Sequence, residues 1–416
     1  MEVLGPTSMR SGDHVIVIGG GPAGLMAAER ISARGVPVIV HERMPSVGRK
    51  FLMAGRGGLN LTHSEALEGF VGRYGGKSAW MRGILERFPP SALVAWAEGL
   101  GQETFTGTSG RIFPKAMKAS PLLRAWLRRL EAQGVSVRTG SAWEGFDAEG
   151  GLVFQGQDGV RTVERPRACV LALGGASWPR LGSNAAWVPF LTARGVRVHA
   201  FRPANVGFDV AWSDLFRGRF AGTPLQGAAY HFRGQGVRGE SVVTAYGIEG
   251  GAIYALSASL RAAIEADGVA ELAIDLRPEM SLAEVRRRLD RPRGGDSMSN
   301  FLRKALRLAP VGVSLLREGF GAHLAQDPQV LATQVKRVVI RLTGVQGLAR
   351  AISSAGGVDV DELDDGLMLR KLPGIHVAGE MIDWEAPTGG YLLQACFATG
   401  FAAAEGILAG GVFKSR

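Results

Sequence analysis

The residues with a spacing that implies chemistry begin at Gly19. Residues 14–18 (His-Val-Ile-Val-Ile) form a short, β-branched apolar run. Such a run reads as a central strand buried on both faces. Gly19-Gly20-Gly21-Pro22-Ala23-Gly24 follows directly, then a strong helix-forming stretch over residues 25–34. Gly35 stops that helix, residues 36–41 make a second strand, and Glu42 stands at its end, 18 residues after Gly24. This strand, turn, helix, strand and acid are the parts of a dinucleotide site. Gly19 permits the tight turn, Gly21 lets a pyrophosphate approach the backbone, and Gly24 lets the helix lie close to the sheet. The helix N-terminus presents free N–H groups and a positive dipole end to phosphate. Glu42 is placed to accept hydrogen bonds from an adenosine ribose, and its charge would repel a 2′-phosphate, which excludes NADP here.

Residues 48–63 hold four glycines together with Arg49, Lys50, Arg56, Asn60 and Thr62. Such a segment reads as a polar loop that wraps a ligand and contributes no core. Residues 168–173 read as another fully buried strand, running into Gly174 and Gly175. Residues 375–378 are one more short apolar strand, followed by Gly379 and Glu380. Gly389-Gly390-Tyr391-Leu392 then opens an apolar helix. A second helix N-terminus is thereby offered to a ligand, where it would stabilise negative charge.

Two other segments imitate phosphate loops. Gly234-Gln235-Gly236-Val237-Arg238-Gly239 matches the glycine spacing, but a strand at residues 241–244 follows where a helix is required, so it reads as a hairpin turn. Residues 72–78 resemble a P-loop, with one residue too few between Gly72 and Gly76 and no strand before them.

Composition excludes several classes. Hydrophobic residues make up 46% and charged residues 21% of 416, an ordinary globular balance that rules out disorder, collagen and coiled coil. The two cysteines, Cys169 and Cys396, form no CxxC pair and both read as core. The seven histidines show no ligand spacing, so neither a redox dithiol nor a metal site is expected. This usage fits a reducing cytoplasm. No signal peptide is expected from the first twelve residues. Residues 391–413 are apolar enough to imitate a membrane span, but Gln394, Glu405 and the glycines point to a buried helix, so no membrane is expected. The formal net charge is +10, and only 8 of the 48 basic residues are lysine. That balance reads either as a solvated arginine-rich surface or as a surface for an anionic partner.

The elements divide the chain into a first dinucleotide-binding part at residues 1–190, an antiparallel unit at 191–278, a helical basic stretch at 279–345 and a return at 346–416. The basic stretch contains Arg286, Arg287, Arg288, Arg291, Arg293, Arg303, Lys304 and Arg307.

On residues 15–42, 48–62, 173–183 and 374–400 the sequence resembles the YhiN-type (BaiN/RdsA-like) FAD-dependent flavoproteins. The resemblance implies an α/β fold: a glutathione-reductase-like Rossmann FAD domain interrupted by an inserted β-barrel plus helical domain. By matching position it implies that Gly19, Gly21, Pro22, Ala23 and Gly24 bind pyrophosphate and that Glu42 and Arg43 lie at the ribose. Arg49, Lys50, Asn60, Leu61 and Thr62 would lie along the flavin and its diphosphate arm, and Gly174 and Gly175 near the dinucleotide. Gly379 and Glu380 would hold the ribityl chain, with Gly389, Gly390, Tyr391 and Leu392 at the isoalloxazine. The sequence departs from the family in three places. Gly57-Gly58-Leu59-Asn60 replaces Gly-Arg-Cys-Asn. Gly390-Tyr391-Leu392-Leu393-Gln394 replaces Gly-Tyr-Asn-Leu-Gln. Gly182-Ser183-Asn184-Ala185-Ala186-Trp187 replaces Gly-Ser-Thr-Gly-Asp-Gly.

The resemblance implies an FAD-dependent oxidoreductase that uses hydride from NADH or NADPH to reduce an unsaturated small molecule. The alternatives are an rRNA-modifying flavoenzyme of the dihydrouridine synthase kind, with rRNA as partner, and a non-catalytic flavin redox sensor. With no cysteine in the flavin loop, His63 and Tyr391 are the candidate proton donors.

Overall fold

The computed structural model describes residues 12–321 and 323–410. The chain gathers into two compact units, residues 12–202 with 353–410, and Pro203–Ile352.

The first unit is built on a five-stranded sheet. Its strands are β1 (Val15–Ile18), β2 (Val38–Glu42), β3 (Ser136–Thr139), β4 (Ala168–Leu171) and β5 (Ile375–Val377), in the order β5-β4-β1-β2-β3. Every neighbour pair is parallel, with Ile16 opposite Ile39 on one side and Cys169 on the other. The four residues of β1 and those of β4 are all buried, as a sheet covered on both faces demands. Helix α1 (Pro22–Ser32) packs on this sheet, and helices α2 (Arg49–Ala54), α3 (Ala119–Ala132) and α4 (Tyr391–Ala409) contribute to the same apolar cluster. A three-stranded antiparallel meander, Ala142–Phe146, Leu152–Gln155 and Arg161–Glu164, follows β3.

α4 passes the length and apolarity test for a membrane span, yet its Tyr391, Gln394, Phe397, Thr399 and Gly400 are buried in the protein. It packs on α1 at a position that admits no side chain. A Cβ on Gly400 would lie 2.2 Å from the Ala23 carbonyl oxygen. Arg30 and Glu405 pair across the same helices at 2.5 Å.

Three sequence expectations change in the structure. The glycine-rich loop after β2 does enter the core: Gly48, at φ +69°, precedes α2, and Phe51, Leu59 and Leu61 are buried. Its apolar residues are too sparse to show a period, and tertiary contact decides their burial. The strand after the second glycine motif begins earlier than expected. It covers Gln235–Val243, so Gly236 and Gly239 lie inside it and only Gly234 serves the turn after Arg233. Cys396 is half-buried at the edge of a cleft, whereas Cys169 is core.

The second unit carries a seven-stranded sheet whose neighbour pairs are all antiparallel. Its order runs Val338–Leu342, Ala270–Asp275, Pro224–Phe232, Gln235–Val243, Gly247–Glu249, Phe208–Asp209 and Gly344–Val345. The first and last strands of that order are successive pieces of one segment, broken at Thr343, so one stretch of chain hydrogen-bonds at both ends of the sheet. Helix Gly251–Asp267 and the four helices between Leu282 and Lys336 share one apolar cluster with the sheet.

Gly400→Ala is expected to destabilise the first unit by about 1–3 kcal/mol, because the new methyl group meets backbone that cannot rotate away. Urea unfolding of the variant against wild type checks this.

Candidate functional site

The carboxyl ends of β1, β2 and β4 open on a cleft with a cavity volume of about 350 Å³. Open α/β sheets bind ligands at this edge. Gly19, Gly21, Pro22, Ala23, Glu42, Arg43, Arg49, Lys50, Gly174, Gly379 and Glu380 all line it.

Backbone packing shapes the turn. A Cβ on Gly19 (φ +109°) would lie 2.2 Å from the Ala172 carbonyl oxygen, and one on Gly24 would lie 2.0 Å from the Gly19 carbonyl oxygen. Gly24 thus sits beneath the cleft and not in its lining. Gly21 differs: it has φ −84°, which suits any residue, and a Cβ there meets no protein atom within 4 Å. Its missing side chain leaves open space in front of α1. That helix has no side-chain cap and begins with Pro22, so its first N–H groups and positive dipole end face the cleft. The residues therefore fit an extended dinucleotide with its diphosphate at α1.

Glu42 is already engaged. One of its oxygens accepts from the Gly20 N–H at 2.9 Å and the other from the Met44 N–H at 2.8 Å. A carboxylate offers about four acceptor positions, so both oxygens keep capacity for a ribose. Lys50 Nζ donates to Glu380 at 2.6 Å and to the buried Ser177 Oγ at 2.7 Å. Arg43 donates to the Gly182 carbonyl at 3.1 Å. Among the described residues, Arg49 Nε is buried without a hydrogen-bond partner, as is Asn60 Oδ1 away from the cleft lining, and such an atom at the cleft wall marks a place where a ligand atom belongs.

Asn60, Leu61, Thr62, Gly175, Gly389, Gly390, Tyr391 and Leu392 do not line this cleft. The loop and the α4 turn instead close on each other. A Cβ on Gly390 would lie 2.5 Å from Thr62 backbone. Thr62 Oγ1 donates to Gln394 at 2.9 Å, Gln394 donates to the Phe88 carbonyl at 2.8 Å, and the Tyr74 hydroxyl donates to the Tyr391 carbonyl at 2.8 Å. Leu61 is core, and Gly175 packs against Ser354.

His63 and Tyr391 stack at 5.5 Å, and both are occupied. The Glu65 N–H donates to His63 Nδ1 at 3.1 Å, so Nε2 carries the proton given to the Ser109 carbonyl at 2.9 Å. The Tyr391 hydroxyl donates to Glu65, which also takes two hydrogen bonds from Arg73. Burial pushes the Tyr391 hydroxyl up, and Glu65 adds to it. Burial alone would raise Glu65, but the bonds from Arg73 and Tyr391 outweigh it and lower the carboxyl. Burial pushes up the thiols of Cys169 and Cys396, which holds both as thiols.

The sequence reading missed His41, Ser141, Trp143, Leu181, Trp187 and Phe190, which also line the cleft. Ser141 could have been found from the parallel order, since it follows the carboxyl end of β3; the aromatic residues gave no signal. His41 is 2% exposed, stacks on Phe154 at 3.9 Å and shares a hydrogen bond with Ser141 at 2.8 Å. Burial, then Arg138 and His14, pushes it from 6.5 down to about 3. The unfolded chain therefore takes up this proton first, and stability is lost as pH falls from 6.5 toward 3. About 2 kcal/mol of the stability at pH 7.5 is expected to go by pH 5 through this group. Urea unfolding at both pH values checks it, with His41→Gln expected to flatten the difference.

The chain matches the HI0933-like protein Rossmann domain over residues 13–406. It is 27% identical over 409 residues to the 3-dehydro-bile acid delta(4,6)-reductase of Clostridium scindens, covering 94% of this chain and 98% of that protein. It is 24% identical over 415 residues to the ribosomal RNA dihydrouridine synthase of Escherichia coli, covering 95% and 98%. Among solved structures, a 3-ketosteroid delta1-dehydrogenase from Sterolibacterium denitrificans shares the fold with a TM-score of 0.56 at 14% identity, over 96% of this chain and 100% of that one. A flavocytochrome c3 fumarate reductase shares it at 0.53 and 17%, over 98% and 80%. The resemblance carried by the β1–α1 turn, the glycine-rich loop and the α4 turn thus extends over nearly the whole length, and the chain belongs to the HI0933-like family.

Proposed function

We propose that the chain is an FAD-dependent oxidoreductase that takes hydride from NADH or NADPH and reduces an unsaturated small molecule. The observation that carries this reading is the open space at Gly21 before an uncapped helix N-terminus, in one cleft with Glu42, Arg49 and Lys50. When bound, FAD would supply hydride transfer between a nicotinamide and an electron-poor double bond. The α1 N-terminus holds the diphosphate, Glu42 accepts from the adenosine ribose, and Lys50 with Glu380 orients the arm between them. A conjugated ketone is the acceptor class, in line with the delta(4,6)-reductase relative. The free cysteines go with a cytoplasmic setting.

A second reading is rRNA reduction. Similarity to an rRNA dihydrouridine synthase and the net charge of +10 favour it. Among the described residues, Arg286, Arg291 and Arg303 stand without ion pairs, while Arg287 and Arg288 pair with Glu284, and Lys304 with Asp296.

Purified protein is expected to carry FAD, to bleach anaerobically with NADH or NADPH, and to re-oxidise on addition of a 3-oxo-4,6-diene steroid. Protein without flavin, or flavin that neither nucleotide reduces, defeats the reading. Flavin that the steroid fails to re-oxidise, together with loss of an rRNA dihydrouridine in a deletion strain, selects the second reading.

Gly21→Ala is expected to unfold within about 0.5 kcal/mol of wild type, since its Cβ meets no protein, yet to lose at least tenfold in FAD affinity. Urea unfolding of the flavin-free protein and flavin retention on dialysis separate the two effects.

A further inference from the structure

The strand order gives the cleft two sides. In the order β5-β4-β1-β2-β3, β1 lies in the middle and hands over to α1. Glu42 ends β2 and Ser141 follows β3, so both stand on one side of β1. Ser177 follows β4 and Glu380 follows β5, so both stand on the other. Glu42, Ser141 and Glu380 all line the cleft, which therefore runs past the α1 N-terminus in both directions. Diphosphate at α1 and ribose at Glu42 leave the β4–β5 side for the flavin half of the dinucleotide.

That side holds an unspent proton. Among the described residues, Arg43, Arg49 and Lys50 are the arginines and lysines that line the cleft. Arg43 follows β2 and donates to the Gly182 carbonyl, and Arg49 donates to Ser46 Oγ, also in the segment after β2, at 3.5 Å. Lys50 reaches the other way. Its ammonium group has three protons. One goes to Glu380 at 2.6 Å and one to the buried Ser177 Oγ at 2.7 Å. The third has no acceptor among the described residues. Cys396 lines the cleft as well, but burial keeps its thiol uncharged. Lys50 is thus the cation of the β4–β5 side, fixed by two partners and left with one bond to give.

Two electrons and one proton added to a flavin give an anion, with its charge on the pyrimidine edge of the ring. Two electrons and two protons give a neutral ring. A cationic donor at that edge favours the anion. We propose that Lys50 holds the reduced flavin as an anion by giving its third proton in a hydrogen bond to the pyrimidine edge, while Glu380 and Ser177 aim the ammonium group. The Glu380 carboxylate carries the opposing sign, so it aims Lys50 and moderates its charge. A cation that acts by charge and one that merely braces the turn after β5 therefore respond with opposite signs when Glu380 loses its charge. This inference rests on the oxidoreductase reading above and adds the control of charge at its cofactor.

The test is the midpoint potential of the flavin in the purified flavin-containing protein, titrated against reference dyes between pH 6 and pH 8. Its pH dependence gives the protons taken up per two electrons. Wild type is expected to take up one proton throughout. Lys50→Met is expected to take up two at pH 6, and at pH 8 to fall tenfold or more in the equilibrium constant for reduction, about 30 mV for a two-electron couple. Lys50→Arg is expected to stay within threefold of wild type. Glu380→Gln, which keeps an acceptor for Lys50 and removes the opposing charge, is expected to raise the potential. A wild-type potential and proton count in Lys50→Met overturn the inference, as do two protons taken up by wild type at pH 6. So does a Glu380→Gln potential that falls or stays unchanged. Flavin affinity lost in Lys50→Met at unchanged potential gives the third proton to the sugar chain or the diphosphate, and also overturns it. If Lys50→Met purifies without flavin, the sign of the Glu380→Gln shift decides alone. Wild type without flavin defeats the oxidoreductase reading, whereas bound flavin whose potential ignores Lys50→Met defeats this inference alone.

Discussion

The first unit depends on backbone approaching backbone where β1 hands over to α1. Gly19 lies against the Ala172 carbonyl and Gly24 against the Gly19 carbonyl, each closer than any Cβ allows. That approach brings α1 down onto the carboxyl ends of β1 and β4 and aims its N-terminus along the sheet edge. It repeats where α4 crosses α1 at Gly400. Interiors are packed too densely to absorb an added methyl group at such contacts. The orientation of the helix dipole, and with it the site for negative charge, follows from three missing side chains.

Electrostatics within the cleft is balanced by pairing and not by excess of one sign. Glu42 spends one acceptor position on each of two backbone N–H groups, which fixes the carboxylate at the end of β2. Lys50 is held between Glu380 and Ser177, so α2, the loop after β4 and the turn after β5 meet at one ammonium group. Among the described residues, Arg49 Nε and Trp143 Nε1 are polar atoms of the cleft lining left without a hydrogen-bond partner, and they mark directions in which a bound molecule completes the set. His63 and Tyr391 belong to a different kind of arrangement. Their polar atoms satisfy backbone and Glu65, and they stiffen the join between the loop and α4.

The basic composition is distributed in the same manner. Part of the run in the second unit is paired with neighbours: Arg287 and Arg288 share Glu284, and Lys304 pairs with Asp296. The count of basic residues along the chain therefore overstates the free positive surface, because short-range pairing is a property of helix faces and not of composition.

By itself the sequence determined the strand–turn–helix–strand–acid order around Gly19 to Glu42, the apolar strands expected at 168–173 and 375–378, which form as 168–171 and 375–377, and the apolar helix from Tyr391. These are local: period, glycine placement and β-branching act over a few residues and leave little choice. The family resemblance was legible for the same reason, since its motifs sit on those turns. Only the tertiary structure decided that Phe51, Leu59 and Leu61 enter the core, that Cys396 borders the cleft, and that Trp143, Trp187 and Phe190 wall it. It also decided that His63 and Tyr391 are occupied and that Trp178 stands in a left-handed turn. Each of these depends on a partner more than ten residues away or on a backbone angle held by such partners, and no local pattern in the chain records them.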